Sequence, residues 1–145
     1  MPPTIEEATE ATDALLEAMH HLVPQLSLSA IPITKDELAE IIDSETVTLF
    51  IARNEGAIVG TLTLAVFRIP SGLRAWIEDV IVDESVRGHG VGVSLTQAAI
   101  DKSRRCGARS IDLTSRPSRE SANRLYQRLG FEIRDTNVYR YSLEG

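Results

Sequence analysis

Cysteine is almost missing from this 145-residue chain: Cys106 stands alone, so no intramolecular disulfide can form and no cysteine-based zinc site can be built from it. No stretch approaches the roughly 18 uninterrupted apolar residues of a membrane span, and Met1 to Glu10 lacks the basic start and apolar middle of a signal peptide. These absences set the expectation of a soluble, cytoplasmic protein with no membrane partner. Internal repeats, low-complexity tracts and linkers are missing as well. No spacing of His, Asp or Glu suits a metal, so no metal site is expected. A net charge of −6 argues against bulk nucleic-acid binding.

What is present is a chain with 43% hydrophobic residues, enough for one domain over residues 1–145 that buries roughly 68–70% of its unfolded surface. Its charge is unevenly spread. Residues 1–73 carry 3 Lys/Arg against 11 Asp/Glu, whereas residues 74–145 carry 12 against 10. The basic half suits an anionic ligand and the acidic half a cationic one, although solvated helix faces also account for acidic residues.

Ile5 to Ala8 suggests a short strand, followed by a helix in which Leu15, Leu16, Met19, Leu22 and Val23 recur at helical spacing until Pro24 stops it. Thr34 and Glu37 make a capping box for a short helix ending near Asp43. Val47 to Arg53 and Ala57 to Arg68 predict an antiparallel hairpin with a three-residue loop, and Pro70 to Gly72 turns the chain into a strand over 74–82. A helix from Val91 to Cys106, stopped by Gly107, and a strand over 110–114 complete a β-α-β unit, whose crossover makes its two strands parallel. Cys106 is expected to pack. Ser118 caps a helix over 119–129 closed by Gly130, and Phe131 to Ile133 and Val138 to Ser142 are the last predicted strands. The fold class is therefore α+β: one mixed, mostly antiparallel sheet with helices on its faces and a single crossover.

Between the apolar run Val80, Ile81, Val82 and the crossover helix lie Arg87, Gly88, His89, Gly90, Val91 and Gly92. Glycines there permit φ > 0 and close approach to the main chain, and the helix start leaves N–H groups unpaired, so an anion such as phosphate is the natural partner. A dinucleotide fingerprint is broken by Val93 at its last glycine position, and a Walker loop would need Gly-Lys-Ser/Thr. A plain strand-to-helix connection is the bland alternative.

Arg87, Gly90 and Gly92, followed by Asn123, Leu125, Tyr126, Gly130 and Phe131, resemble the two signatures of the GNAT superfamily of acetyl-CoA-dependent N-acetyltransferases. The resemblance covers about residues 76–131. It implies acetyl-CoA as cofactor, with the backbone of Val80, Ile81 and Val82 pairing the pantetheine arm, residues 87–92 holding the pyrophosphate, and Asn123 bonding the arm. It also implies that Tyr126 protonates the departing thiolate, although Tyr126 equally fits an apolar stripe with Ala122, Leu125 and Leu129. Glu78 and Asp79 resemble the Glu-Asp pair of polyamine-acetylating members, which makes Glu78 the base and both acids amine-binding groups; alternation sends them to opposite faces unless a bulge intervenes. In histone-acetylating members the working glutamate lies where this chain has Trp76.

The expected acceptor is a small-molecule amine, polyamine or basic peptide, and a homodimer paired through the last strands is plausible for such a domain. His20, His21 and His89 are expected at the surface. Two alternatives stay open: a CoA-binding module without turnover, and a nucleotide-dependent oxidoreductase.

Overall fold

The computed structural model describes residues 2–144. Residues up to Thr114 form one compact unit and those from Ser115 onward a second. The first holds a five-stranded sheet in the order β1-β2-β3-β4-β5, from β1 (Thr4–Glu7), β2 (Val47–Asn54), β3 (Ala57–Ile69), β4 (Gly72–Val82) and β5 (Ile111–Asp112). Neighbours pair antiparallel through β4, and β5 joins β4 in parallel, as the crossover requires.

Strand alternation assigns the faces. Ile51 of β2 and Ile81 of β4 both lie opposite Thr61, so they share one side of the sheet. There they meet Leu15, Met19 and Leu22 of α1 (Asp13–Leu26) and Leu38 of α2 (Lys35–Asp43) in one buried cluster. Each such side chain contributes about 1.5–3 kcal/mol by leaving water. Gly60, one residue away on β3, faces the other side, where Val91 and Leu95 of α3 (Val91–Cys106) crowd it. The inward hydroxyls of Thr96 and Ser103 on α3 are satisfied by the carbonyls of Gly92 and Ala99, at 2.7 Å each.

Several boundaries differ from expectation, each for a local reason. Pro24 lies inside α1 and does not stop it, because so near the end its ring forfeits only one helical hydrogen bond. The β2–β3 loop has two residues, not three: Glu55 and Gly56 both take positive φ, +52° and +84°, and the extra residue, Val59, is absorbed by a bulge beside Arg53. β5 shrinks to two residues because its pairing with β4 ends at Trp76 and Asp112. Cys106 is exposed, past the last inward residue of α3, Ser103. The Thr34–Glu37 capping box forms as predicted, with bonds of 3.1 and 2.9 Å.

In the second unit α4 spans Glu120–Arg128. Its cap is Arg119, which makes no side-chain bond, so the expected Ser118 cap is not formed. Asn123 ties the helix to its entrance instead, donating from Nδ2 to the carbonyls of Arg116 and Arg119, both at 2.9 Å. At the other end Phe131 N–H bonds the Tyr126 carbonyl and Gly130 N–H that of Gln127, with Gly130 at φ +104°. Residues 131–133 and 138–142 form no strand, and Tyr139 and Tyr141 are each 88% exposed. Apolar alternation marks a strand only where a neighbour offers a ladder, and among the described residues the second unit holds no strand of its own. The strands expected to carry a homodimer are thus not formed here.

Candidate functional site

β4 reaches the site with a bulge. Glu78 lies opposite Thr63 and Ile81 opposite Thr61, so three steps on β4 match two on β3. Asp79 sits in the bulge at φ +49°, a conformation that Asp tolerates better than most residues. Glu78 and Asp79 are consequently both exposed despite being adjacent on a strand. The Trp76 indole, on the same face as Glu78, donates from Nε1 to Glu78 Oε1 at 2.7 Å and fixes that carboxylate, leaving Oε2 free of it. Although the residue as a whole is exposed, its carboxyl is partly screened from water, and that screening, with the charge of Glu78 beside it, pushes the Asp79 carboxyl above its ordinary range.

Past Trp76, β4 has no backbone pairing on its β5 side among the described residues, whereas its β3 side stays paired to Val82. The edge of Val80, Ile81 and Val82 is therefore available to an extended ligand. The chain then passes through a 3-10 turn (Glu84–Val86) into exposed residues 87–90 and the start of α3. Gly88 and Gly90 take φ of +85° and +80°, and neither has an atom within 4 Å of where a Cβ would stand. His89 N–H is spent on the Val86 carbonyl at 3.3 Å. The N–H groups of Arg87, Gly88, Gly90, Val91, Gly92 and Val93 find no acceptor among the described residues. Unspent donors at the positive end of a four-turn helix form an anion cradle. Arg87 adds a cation, its Nε turned back to the Val82 carbonyl at 3.3 Å.

In the second unit Tyr126 is buried, and its ring meets Phe131 edge-on at a centroid distance of 5.8 Å. Burial raises its phenol above the usual tyrosine range against the lowering influence of Arg119, which keeps the proton in place at neutral pH. Both Nδ2 bonds of Asn123 go to the entrance carbonyls, and its Oδ1 has no partner among the described residues. Among the described residues no cluster of His, Cys, Asp or Glu could hold a metal, and no helix is long and apolar enough to cross a membrane.

The model of the acetyltransferase (GNAT) family matches residues 13–131. This chain belongs to that family. Among GNAT relatives, it is 33% identical over 131 residues to the glucosamine 6-phosphate N-acetyltransferase of Trypanosoma brucei brucei, a match covering 85% of this chain and 84% of that one. It is 38% identical over 73 residues to the N-alpha-acetyltransferase 30 of Schizosaccharomyces pombe, where the match covers 50% of this chain and only 48% of the relative's length. A solved Trypanosoma brucei acetyltransferase superposes with a TM-score of 0.77 at 28% identity, covering 97% of this chain and 99% of that one. GNAT enzymes use acetyl-CoA.

Three parts of the site went unnoticed in the sequence. Gly60 admits α3 to the sheet, and neither the strand pattern nor any motif flags it. Asp83, His21 and Gln25 meet at the entrance of the turn although 62 residues separate His21 from Asp83. The Trp76–Glu78 bond is consistent with strand alternation, yet side-chain reach and rotamer decide it.

Proposed function

We propose that this protein is an N-acetyltransferase that moves acetyl from acetyl-CoA to an amine by direct attack in a ternary complex, with residues 1–145 acting as one domain. The carrying observation is what β4 brings together: an unpaired edge, a bulge presenting Glu78 and Asp79, and a following turn rich in unspent N–H groups.

These features fit acetyl-CoA. The backbone of Val80, Ile81 and Val82 pairs the amides of the pantetheine arm, and Arg87, Gly88, Gly90, Val91 and Gly92 hold the pyrophosphate through main-chain N–H groups, with His89 lining the turn. Asn123 Oδ1 accepts from the arm. When bound, acetyl-CoA supplies a thioester carbonyl activated for attack.

Glu78, held by Trp76, takes a proton from the incoming ammonium through water and leaves a nucleophilic nitrogen. Asp79 binds the acceptor's positive charge. As the N–C bond forms and the C–S bond breaks, Tyr126 hydrogen-bonds the departing thiolate and passes it a proton; because a phenol is a weaker acid than a thiol that titrates near 8.5, the phenol is restored by the second proton that the acylated nitrogen sheds. The acidic balance of residues 1–73 supports a cationic acceptor: a polyamine, another small amine or a basic peptide.

A thermal-shift comparison of CoA, acetyl-CoA and NAD, followed by free-thiol release with an amine panel, tests this. The panel contains a polyamine, a peptide with a free α-amino group and glucosamine 6-phosphate. CoA and acetyl-CoA are expected to stabilise the protein and the cationic amines to release thiol fastest. Glu78→Gln should slow turnover about 100-fold with CoA affinity unchanged. Stabilisation by NAD alone supports an oxidoreductase; stabilisation by CoA with no thiol release from any amine supports a binding module.

A further inference from the structure

The phosphate turn is poorly anchored by its own residues. Within 83–90 the backbone bonds are Val86 N–H to Asp83 and His89 N–H to Val86, at 3.0 and 3.3 Å. Its exit is seated by Val91 and Leu95 of α3 against Gly60 of β3, and its entrance is held from outside the turn as well. Asp83 N–H is bound to the Val59 carbonyl of β3 at 2.8 Å, and its side chain makes two further contacts. Oδ1 accepts from Ser85 N–H at 3.2 Å, and Oδ2 accepts from His21 Nε2 at 3.1 Å. The next residue, Glu84, donates its backbone N–H to Gln25 Oε1 at 3.0 Å.

His21 and Gln25 are one turn apart on α1, and Gln25 Nε2 donates back to the His21 carbonyl at 3.3 Å. Because a carboxylate can only accept, the bond to Asp83 requires a proton on His21 Nε2, an atom that also lies 3.4 Å from Gln25 Nε2. The same helix turn reaches the other way through His20, whose Nε2 donates to the Ile33 carbonyl at 2.7 Å. α1 is in turn fixed to the sheet by Leu15, Met19 and Leu22 packed with Ile81.

We propose that His21 and Gln25 are positioning residues for the phosphate turn: by gripping Asp83 and Glu84 from α1, they set the direction in which the N–H groups of residues 87–90 point. The inference rests on the turn holding the cofactor pyrophosphate. Neither side chain touches the cofactor. Their contribution is preorganisation, so it counts only for ligands that reach the turn.

The test compares calorimetric dissociation constants for CoA and for pantetheine, which has the same thiol arm but no phosphate. In the intact protein CoA is expected to bind far more tightly. His21→Leu with Gln25→Met keeps side-chain volume but removes both bonds, and should weaken CoA about tenfold, the cost of ordering one or two loose groups on binding, while leaving pantetheine unchanged. His21→Gln, whose amide can still donate to Asp83, should recover most of that loss in the Gln25 wild-type background. Equal weakening of both ligands, or an unchanged ratio between them, overturns the proposal by showing a general structural role or none. If the unsubstituted protein binds CoA no better than pantetheine, the phosphate turn itself is misassigned and the proposal falls with it. Should the double variant fail to fold, His21→Leu and Gln25→Met singly are each expected to show part of the CoA-specific loss, and its absence in both counts against the proposal.

Discussion

Replacing Gly90 by alanine separates backbone strain from cofactor contact. Gly90 takes φ +80°, and a Cβ built there meets nothing within 4 Å, so the substitution is free of clashes. The cost is conformational: an L-residue in the left-handed region loses about 1–2 kcal/mol. Lower freedom of the unfolded alanine chain returns about 0.4–1 kcal/mol. A net loss of about 1 kcal/mol lowers the melting temperature by about 2–4 °C in a chain of this size. Binding should suffer more, because the open space the methyl enters is the space the phosphate needs. Forfeiting one charge-assisted hydrogen bond costs about 1.5–3 kcal/mol, a ten- to hundredfold rise in the dissociation constant of CoA. Scanning and titration calorimetry read the two effects independently. Gly90→Asn, which accepts this φ more readily, should recover stability without recovering affinity. CoA affinity within twofold of the parent, in an alanine variant that melts lower, would refute placement of the phosphate on this turn.

Gly60→Ala should fail for the opposite reason. Its new Cβ stands 3.0 Å from Val91 Cγ1 and 3.1 Å from both the Ile81 carbonyl and Leu95 Cδ1. Overpacking of about 1–3 kcal/mol then appears as a lower denaturation midpoint, and α3 is pushed from the sheet, weakening CoA as well. Tyr126→Phe is expected to cut turnover about 100-fold or more with the CoA dissociation constant intact; an equal loss of binding would make Tyr126 structural. Because burial raises the Tyr126 phenol in the folded state, its stabilisation is complete below the ordinary tyrosine range and is lost as pH rises through the higher folded value. The phenylalanine variant should lose that alkaline decline in urea melts. Asp79, also raised by burial and then by Glu78, destabilises the fold increasingly as pH climbs from the ordinary carboxylate range through its folded value. Asp79→Asn should therefore gain stability relative to the parent as pH rises above the ordinary carboxylate range while the acceptor KM rises, and a flat difference between the two proteins would contradict the assigned cause.

The parts of this protein legible in its sequence are those governed by neighbours along the chain. Thr34 and Glu37 lie three residues apart, and the capping box they announce is formed. Gly107 marked the end of α3, where its N–H bonds the Arg104 carbonyl at φ +83°. The strand-turn-helix around Arg87 to Gly92 likewise appears where the glycine spacing put it. Legibility failed where a partner had to be supplied. Residues 138–142 alternate convincingly, yet no strand stands beside them in their unit, so the pattern stays unused. Ser118 had the right chemistry for a cap, but Arg119 took the capping position and the Asn123 amide secured the loop.

From its sequence alone the chain fixed its family, its mixed sheet with one crossover, and a glycine turn suited to phosphate, because periodicity, caps and turn glycines act over a few residues. Tertiary structure decided what those pieces can do together. The bulge at Asp79 exists only in register against β3, and it turns Glu78 and Asp79 out to solvent. The free edge of β4 exists only because β5 stops pairing after two residues. The entrance of the glycine turn is held by His21 and Gln25, distant in sequence and brought to Asp83 and Glu84 by the packing of α1 on the sheet. Contacts across such separations depend on how whole elements pack, and no local pattern of residues encodes them.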